Sequence, residues 1–293
     1  MQEHKSGYVN ILGKPNVGKS TLMNALLGEK LSIITPKAQT TRHRILGIAN
    51  EDHYQIVFSD TPGIIKPGYK LQEYMMNFVH SAMEDADLFI LLTELGNDFD
   101  DSKTLERLEK TDIPVLLLIN KIDLGNQQLV VEKCEMWKKK YPKFQVLPIS
   151  ALENFNLDAV MTKILEILPE SPPYFPKDDL TDRPVRFFIS EMVREKILEN
   201  YQKEIPYSVE VTVDSFEEEE KLVRIRCVIH VARESQKGII IGHKGKALKK
   251  VGIHARKEME EFLGKQVFID LHVKVSKNWR DNDLQLGRFG YNK

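Results

Sequence analysis

The chain has 293 residues, 42% of them hydrophobic and 29% charged, which is enough for about two domains that each bury a core. Its longest apolar runs have only strand length, so we expect no membrane span, and its two cysteines, Cys134 and Cys227, lack metal-ligand spacing. The net charge of −1 suggests no nucleic-acid partner by itself. However, residues 183–293 carry 22 Lys and Arg against 17 Asp and Glu, while residues 1–182 carry 20 against 26.

In chain order, the first 168 residues alternate between strand and helix patterns. Strands are expected at 8–12, 45–48, 54–59, 88–92, 115–120 and 145–149, and helices at 21–27, 69–84, 102–108, 127–140 and 157–168. Several of these strands are apolar throughout. We therefore predict an α/β domain over residues 1–169, with a mostly parallel sheet that helices cover on both faces. Ligands of such sheets bind at the carboxyl ends of the strands.

Five prolines from Pro169 to Pro184 then interrupt the pattern, and we interpret residues 170–183 as a linker. Further elements follow it in the order helix 187–203, strands 207–214 and 222–232, helices 236–241 and 246–263, and strand 266–275. This α-β-β-α-α-β order predicts a second, α+β domain over residues 184–293.

Residues 13–20 read G-x-x-x-x-G-K-S between a strand and a helix, which is the context that a phosphate-binding loop requires. Its glycines let backbone N–H groups point at a polyphosphate at the start of the helix. Lys19 would neutralise the outer phosphates, and Ser20 would bind a magnesium ion that bridges them. The predicted nucleotide contacts here are Gly13, Lys14, Pro15, Asn16, Val17, Gly18, Lys19, Ser20 and Thr21.

A second nucleotide-binding motif, Asp60-Thr61-Pro62-Gly63, follows the strand 54–59. The Asp60 carboxylate can hold magnesium through water, and the Gly63 N–H can meet a γ-phosphate. Thr41 lies in a preceding loop that is long enough to fold over the nucleotide, where its hydroxyl and N–H can complete both contacts. We therefore predict Ser20, Thr41 and Asp60 as metal ligands, and Lys19, Thr41 and Gly63 as catalytic residues.

The motif Asn120-Lys121-x-Asp123, at the end of the strand 115–120, identifies the base. An ionised Asp123 only accepts hydrogen bonds, so it pairs with the N1–H and exocyclic amine of guanine, whereas adenine has an acceptor at N1. Asn120 can support the loop and reach the ring edge, and the Lys121 stem can cover the ring face. The remaining guanine loop, in which a backbone N–H meets the base oxygen, comprises Ser150, Ala151 and Leu152.

Residues 8–168 resemble a GTPase domain of the translation-factor class, and the wording G-K-P-N-V-G-K-S, T-T-R-H-R, D-T-P-G, N-K-I-D and S-A-L resembles the Era family. Better-known small GTPases carry a water-positioning glutamine where this chain has Ile64, and an aliphatic side chain cannot orient water. Some similar GTPases carry an asparagine at the position of Asn16. This similarity implies that Asn16 aids catalysis by holding a monovalent cation, K⁺, in place of an arginine finger. The alternative, that Asn16 only forms the loop, stays open.

Gly242-His243-Lys244-Gly245 joins two predicted helices, and such a G-x-x-G turn lets a nucleic-acid backbone come close. Residues 237–257 contain seven basic side chains and no acidic one, which favours salt-dependent binding. The order of elements resembles a type II KH domain, which the Era family also carries, and KH domains hold bases in an aliphatic groove. The predicted RNA contacts are Ile239, Ile241, Gly242, His243, Lys244, Gly245, Lys246, Lys249 and Lys250. Leu248 and Val251 are further groove candidates, and each aliphatic candidate is equally compatible with a place in the core.

The resemblance covers nearly the whole chain and implies a slow GTPase that uses Mg²⁺, binds the 3′ end of 16S rRNA and acts in assembly and maturation of the small ribosomal subunit. It also implies some peripheral contact with the inner face of the cell membrane. Residues 1–7 lack the apolar region of a secretory signal, so we expect a cytoplasmic protein, and we expect no DNA partner. Two alternatives stay open: a nucleotide-sensing RNA chaperone in which hydrolysis is incidental, and a KH GTPase that acts on another RNA.

Overall fold

The computed structural model describes residues 4–291, and the chain divides into two compact units. The first unit contains Met1–Ser32, Thr41–Lys66 and Met75–Asp182, and the second contains Ile33–Thr40, Pro67–Tyr74 and Arg183–Lys293. Among the described residues, no helix combines the length and the apolar composition that a membrane crossing requires.

The first unit is built on a six-stranded sheet with the strand order β2-β3-β1-β4-β5-β6. These strands are β1 (Lys5–Gly13), β2 (Ile45–Glu51), β3 (Tyr54–Asp60), β4 (Leu88–Glu94), β5 (Val115–Asn120) and β6 (Gln145–Pro148). Neighbours are parallel except for β2 and β3, which pair antiparallel. All residues of β5 are buried, so both faces of the sheet are covered at its centre. The predicted mostly parallel sheet is confirmed.

Helices alternate with these strands along the chain. They are α1 (Lys19–Leu27), α2 (Lys70–Ala82), α3 (Ser102–Lys110), α4 (Gln127–Lys140) and α5 (Leu157–Ile167). β2 is longer than the sequence pattern predicts, because its register with β3 continues until Glu51 pairs with Tyr54 across a tight turn.

The proline-rich segment 170–182 forms no helix and no sheet strand, as its prolines predict, but it is packed against the first unit. The Gln55 side-chain amide donates to the Phe175 carbonyl at 2.8 Å. The Thr181 hydroxyl donates to the Leu46 carbonyl at 2.6 Å. These bonds hold the segment along β2 and β3, and the predicted domain bounds stay a prediction.

The second unit contains the predicted α-β-β-α-α-β order, built on a three-stranded sheet with the order β7-β8-β9. Its elements are α6 (Val185–Asn200), β7 (Val209–Glu218), β8 (Leu222–Val231), α7 (Glu234–Ile241), α8 (Lys246–Leu263), β9 (Gln266–Val275) and α9 (Asp283–Arg288). β7 and β8 are antiparallel, and β8 and β9 are parallel. The tail packs into the core, because Trp279 is fully buried and its indole N–H donates to the Ser208 carbonyl at 3.0 Å.

α6 is buried around more of its circumference than its polar residues suggest. Glu191, Arg194 and Glu195 are all almost completely buried. Arg194 Nε donates to Glu191 Oε1 at 2.7 Å, and the guanidinium also donates to the carbonyl of Thr40 within the same unit. A buried ion pair therefore takes positions that a binary pattern of polar and apolar residues assigns to solvent.

Candidate nucleotide and RNA sites

The phosphate loop connects β1 to α1, and close packing dictates its glycines. Gly18 has φ +101°, and a Cβ there would lie 2.3 Å from Asn120 Nδ2. Gly63 faces the same loop, where a Cβ would lie 2.6 Å from the backbone nitrogen of Pro15. Since real Cβ atoms do not approach so closely, glycine is needed at both positions.

The Lys19 ammonium lies beneath the loop, bonded to its backbone. Nζ donates to the carbonyl of Lys14 at 2.9 Å and to that of Gly13 at 3.2 Å. Burial lowers the pKa of Lys19 to about 8, and the Asp60 carboxylate opposes that shift. A polyphosphate in the loop would favour the charged ammonium, which is the role that the sequence assigns to Lys19.

Ser20, Thr41 and Asp60, the three predicted magnesium ligands, lie together. The Ser20 hydroxyl donates to Asp60 Oδ2 at 2.7 Å, the Thr41 hydroxyl donates to the same oxygen at 3.2 Å, and the two hydroxyl oxygens are 2.9 Å apart. All are oxygen donors, which Mg²⁺ prefers.

The second carboxylate oxygen of Asp60 supports this fit to magnesium. Among residues 4–291, buried Asp60 Oδ1 accepts no hydrogen bond of regular geometry, although the Ser32 hydroxyl lies close enough to lower the pKa of Asp60. Burial raises the pKa of Asp60, whereas Lys19 and the hydroxyls of Ser20 and Thr41 lower it. A buried carboxylate with an unpartnered oxygen is suited to a cation.

The loop after Asp60 is fixed against the phosphate loop. The Thr61 hydroxyl donates to the Ile11 carbonyl at 2.7 Å, and the Ile64 N–H donates to the Gly13 carbonyl at 3.0 Å. Pro62 is buried beside them. Gly63 therefore lies beside Pro15 of the phosphate loop, and the contact of its N–H with a terminal phosphate stays a prediction.

Asn120 connects the guanine loops to the phosphate loop. Its Nδ2 donates to the Val17 carbonyl at 2.8 Å, and its Oδ1 accepts from the Ala151 N–H at 2.9 Å. The Ser150 hydroxyl donates to Asp123 Oδ1 at 2.6 Å, which orients the exposed Asp123 carboxylate. Leu152, the last predicted residue of this loop, has 72% of its surface exposed.

Lys121 has partners that the motif alone does not reveal. Its ammonium donates to the Asn16 carbonyl at 2.8 Å and forms an ion pair with Glu94, which no sequence pattern indicates. Asn16 is exposed with φ +63°, a conformation that asparagine tolerates well. This geometry is compatible with both roles proposed for Asn16.

In the second unit, the G-x-x-G turn joins α7 to α8 and depends on its first glycine. Gly242 has φ +68°, and a Cβ there would lie 2.6 Å from Cβ of Ala247. The hydroxyl of Tyr201 donates to the Ile240 carbonyl at 2.6 Å and supports the turn from the α6 side. The charged or polar side chains around the turn are exposed, as RNA contact requires: His243, Lys244, Lys246, Lys249 and Lys250.

A groove of about 420 Å³ lies between α8 and β9 beside this turn. Its walls are aliphatic and aromatic with two basic side chains, and the residues are Gly245, Leu248, Lys249, Gly252, Ile253, Arg256, Val267, Phe268, Ile269 and Leu271. Of the aliphatic residues that the sequence analysis proposes for the groove, Leu248 lines it, whereas Val251 is fully buried in the core. Ile239 and Ile241 belong to α7, and their contact with RNA stays a prediction.

The β9 wall of the groove was missed by sequence analysis. The spacing of Leu248, Gly252 and Arg256 along one face of α8 could have indicated the helical wall. The contribution of Phe268 and Leu271 depends on the packing of α8 against β9, which no local pattern encodes.

Two family models match the chain. One, described as a 50S ribosome-binding GTPase, matches residues 8–121, and the other, a KH domain, matches residues 204–280. The chain is 45% identical to GTPase Era of Thermoanaerobacter sp. (strain X514), over 98% of this chain and 97% of that protein. It is equally identical to GTPase Era of Geotalea daltonii, over 99% of each chain.

Two solved structures superpose on nearly the whole chain. One is Era in complex with MgGDPNP and nucleotides 1506–1542 of 16S ribosomal RNA, with 40% identity, a TM-score of 0.95 and coverage of 99% of this chain and 100% of that one. The other is a variant of Aquifex aeolicus Era bound to GDP·AlF₄⁻, with 40% identity, a TM-score of 0.94 and the same coverage. With both domains matched in order and full-length relatives at this identity, the chain belongs to the Era family of GTPases.

Proposed function

We propose that this chain is a GTP-hydrolysing switch that binds the 3′ end of 16S rRNA and acts in assembly and maturation of the small ribosomal subunit. The observation that carries the nucleotide part is the guanine loop, in which Ser150 fixes the Asp123 carboxylate and Asn120 ties the loop to the phosphate loop. The RNA part is supported by the exposed basic turn beside an apolar groove, and by the relative that was solved with nucleotides 1506–1542 of 16S rRNA.

The residues around the phosphates have separate roles in binding and hydrolysis. Lys19 and the backbone of residues 13–18 bind and orient the polyphosphate, and Gly63 offers its N–H to the γ-phosphate. Ser20, Thr41 and Asp60 would hold Mg²⁺, which neutralises charge on the phosphate oxygens when it is bound. The similar Era solved with MgGDPNP supports this metal.

The base assignment is tested by exchanging the acceptor that reads guanine. Asp123→Asn replaces an acceptor with an amide that can donate, so the preference should move from guanosine to xanthosine nucleotides. The measurement is the ratio of the Kd values for GDP and XDP. The exposed Asp112→Asn serves as a matched control and should leave the ratio unchanged. Retained guanosine preference in Asp123→Asn would contradict the assignment.

Ile64 leaves the attacking water without a side chain to orient it, so hydrolysis needs another aid. Asn16 supplies it by helping to hold K⁺, a role that the resemblance to GTPases with an asparagine at this position implies and that its exposed side chain permits. Turnover should therefore be faster in potassium than in sodium buffer at equal ionic strength. Equal turnover would contradict this role for Asn16.

Ile64 also favours a second candidate function, a nucleotide-sensing RNA chaperone in which hydrolysis is incidental. The two functions differ in one outcome. A variant that binds GTP but cannot hydrolyse it should fail to restore subunit assembly in depleted cells if hydrolysis drives the switch, and restoration would favour the chaperone.

The resemblance to the Era family predicts that the protein is cytoplasmic, with peripheral contact at the inner face of the membrane. Flotation of the purified chain with anionic lipid vesicles tests the membrane contact. Absence of the chain from the floated fraction would contradict it.

A further inference from the structure

Glu94 lies at the carboxyl end of β4 and forms an ion pair with Lys121. The sheet register fixes its position, because Glu94 is the direct neighbour of Asn120 on β5. The N–H of Leu95 also donates to the Asn120 carbonyl at 3.1 Å. The pair is partly shielded from solvent, with 21% of the Glu94 side chain and 34% of the Lys121 side chain exposed. It is less exposed than the pair of Lys163 and Glu166 on α5.

The Lys121 ammonium connects two loops of the nucleotide site. Besides Glu94, it reaches the Asn16 carbonyl in the phosphate loop at 2.8 Å. The Lys121 backbone is left-handed, with φ 61° and ψ 36°, a conformation that is uncommon for residues other than glycine. Two acceptors on two different elements hold its ammonium. Without the Glu94 carboxylate, the ammonium would keep only one of them.

We propose that Glu94 is a positioning residue of the guanine nucleotide site. Its carboxylate fixes Lys121 so that the methylene stem covers one face of the base while the ammonium holds the phosphate loop at Asn16. This inference rests on the proposed guanine site. Because Glu94 and Lys121 act on the base and on the phosphate loop at Asn16, this pair supports the binding of GDP and GTP equally. The preference for guanine over xanthine belongs to Asp123 and is independent of it.

The test is a double-mutant cycle read by nucleotide release. The dissociation rate of a fluorescent GDP is measured for the wild-type chain, Glu94→Gln, Lys121→Met and the double variant, with GDPNP as the second nucleotide. Glu94→Gln should release both nucleotides about tenfold faster, as expected for a shielded, charge-assisted hydrogen bond. Lys121→Met removes the same pair from the other side and should accelerate release at least as much.

In the Lys121→Met background, Glu94→Gln should add less than about twofold, since the partner is gone. Glu166→Gln is the matched control, because it breaks an exposed pair with Lys163 on α5 and should leave release unchanged. A Glu94→Gln effect that persists in full in the Lys121→Met background would overturn the proposal, as would wild-type release from either single variant. If Glu94→Gln releases nucleotide at the wild-type rate while Asp123→Asn shifts the preference to xanthosine nucleotides, only the role of Glu94 is contradicted. If Asp123→Asn keeps the guanosine preference, the proposed guanine site itself is contradicted.

Discussion

Replacement of Asn120 by alanine tests whether one buried amide holds the nucleotide site together. The substitution removes the bond from Nδ2 to the Val17 carbonyl at 2.8 Å and the bond from the Ala151 N–H to Oδ1 at 2.9 Å. Val17 is 1% exposed and Ala151 is 3% exposed, so both backbone groups stay buried without their partners. Leaving a buried polar group unsatisfied costs about 1–3 kcal/mol, so the two together should lower the free energy of unfolding by about 2–4 kcal/mol after some relaxation.

Urea unfolding of the nucleotide-free chain measures this loss directly, and titration with GDP measures its effect on the site. The affinity for GDP should fall more than tenfold, because the phosphate loop and the loop of Ala151 lose their shared anchor. Asn126→Ala is the matched control, since the Asn126 side chain caps the exposed start of α4 by accepting from Leu129 N–H. It should cost about 1 kcal/mol and leave GDP binding intact.

If Asn120→Ala lowers the free energy of unfolding no more than Asn126→Ala does, the Asn120 amide is not a buried anchor. The same holds if stability falls as expected but GDP affinity stays at the wild-type value, because the loops would then keep their binding geometry without the amide.

Three further predictions address other parts of the chain. Gly18→Ala should weaken GDP binding at least tenfold and destabilise the chain by about 1–3 kcal/mol, because its Cβ would meet a neighbouring amide at 2.3 Å in a left-handed loop; calorimetry and unfolding measure both. Burial and the charge of Lys274 lower the pKa of His230 to about 4. The free energy of unfolding should therefore have its full value above the ordinary pKa near 6.5 and fall as the pH drops from 6.5 towards 4. Unfolding at several pH values measures this dependence, and His230→Gln should abolish it. Lys249→Gln with Lys250→Gln should weaken single-stranded RNA binding and reduce the log–log salt slope by about 1.4, measured by fluorescence anisotropy.

Matched controls separate these effects from general damage. Gly28 has φ +72° with open space around its Cβ position, so Gly28→Ala carries the backbone strain without the contact and should leave GDP binding unchanged. Lys138→Gln with Lys139→Gln removes two exposed lysines of α4 and should not alter the salt slope. A reduced GDP affinity in Gly28→Ala, a flat pH profile for the wild-type chain or an unchanged slope for the α8 variant would contradict the respective prediction.

The parts of the site that sequence reasoning reached are those fixed by short-range pattern and chain order. The phosphate loop and the Asp60 motif each follow a strand of a parallel sheet, so the sequence alone places Ser20 and Asp60 at one edge, whereas Thr41 is assigned from the length of its loop. The mostly parallel sheet could also be predicted from the sequence, because strands that are buried on both faces are apolar throughout.

The parts that it missed depend on pairing between distant segments. Glu94 reaches Lys121 only because β4 and β5 pair in one register, and Phe268 lines the groove only because β9 packs beside α8. Arg194 is charged yet fully buried, because the fold brings the Thr40 carbonyl to its guanidinium from a distant segment of the chain. Local periodicity carries no information on such partners, which only the tertiary arrangement defines.

Crosslinking in living cells, followed by sequencing of the bound RNA, tests whether this GTPase acts on the 3′ end of 16S rRNA. The variant with Lys249→Gln and Lys250→Gln serves as the control for contacts made through the KH domain. We expect reads concentrated at the 3′ end of 16S rRNA and depleted in this variant. Reads concentrated on messenger or transfer RNA, with the 3′ end of 16S rRNA at background, would contradict it.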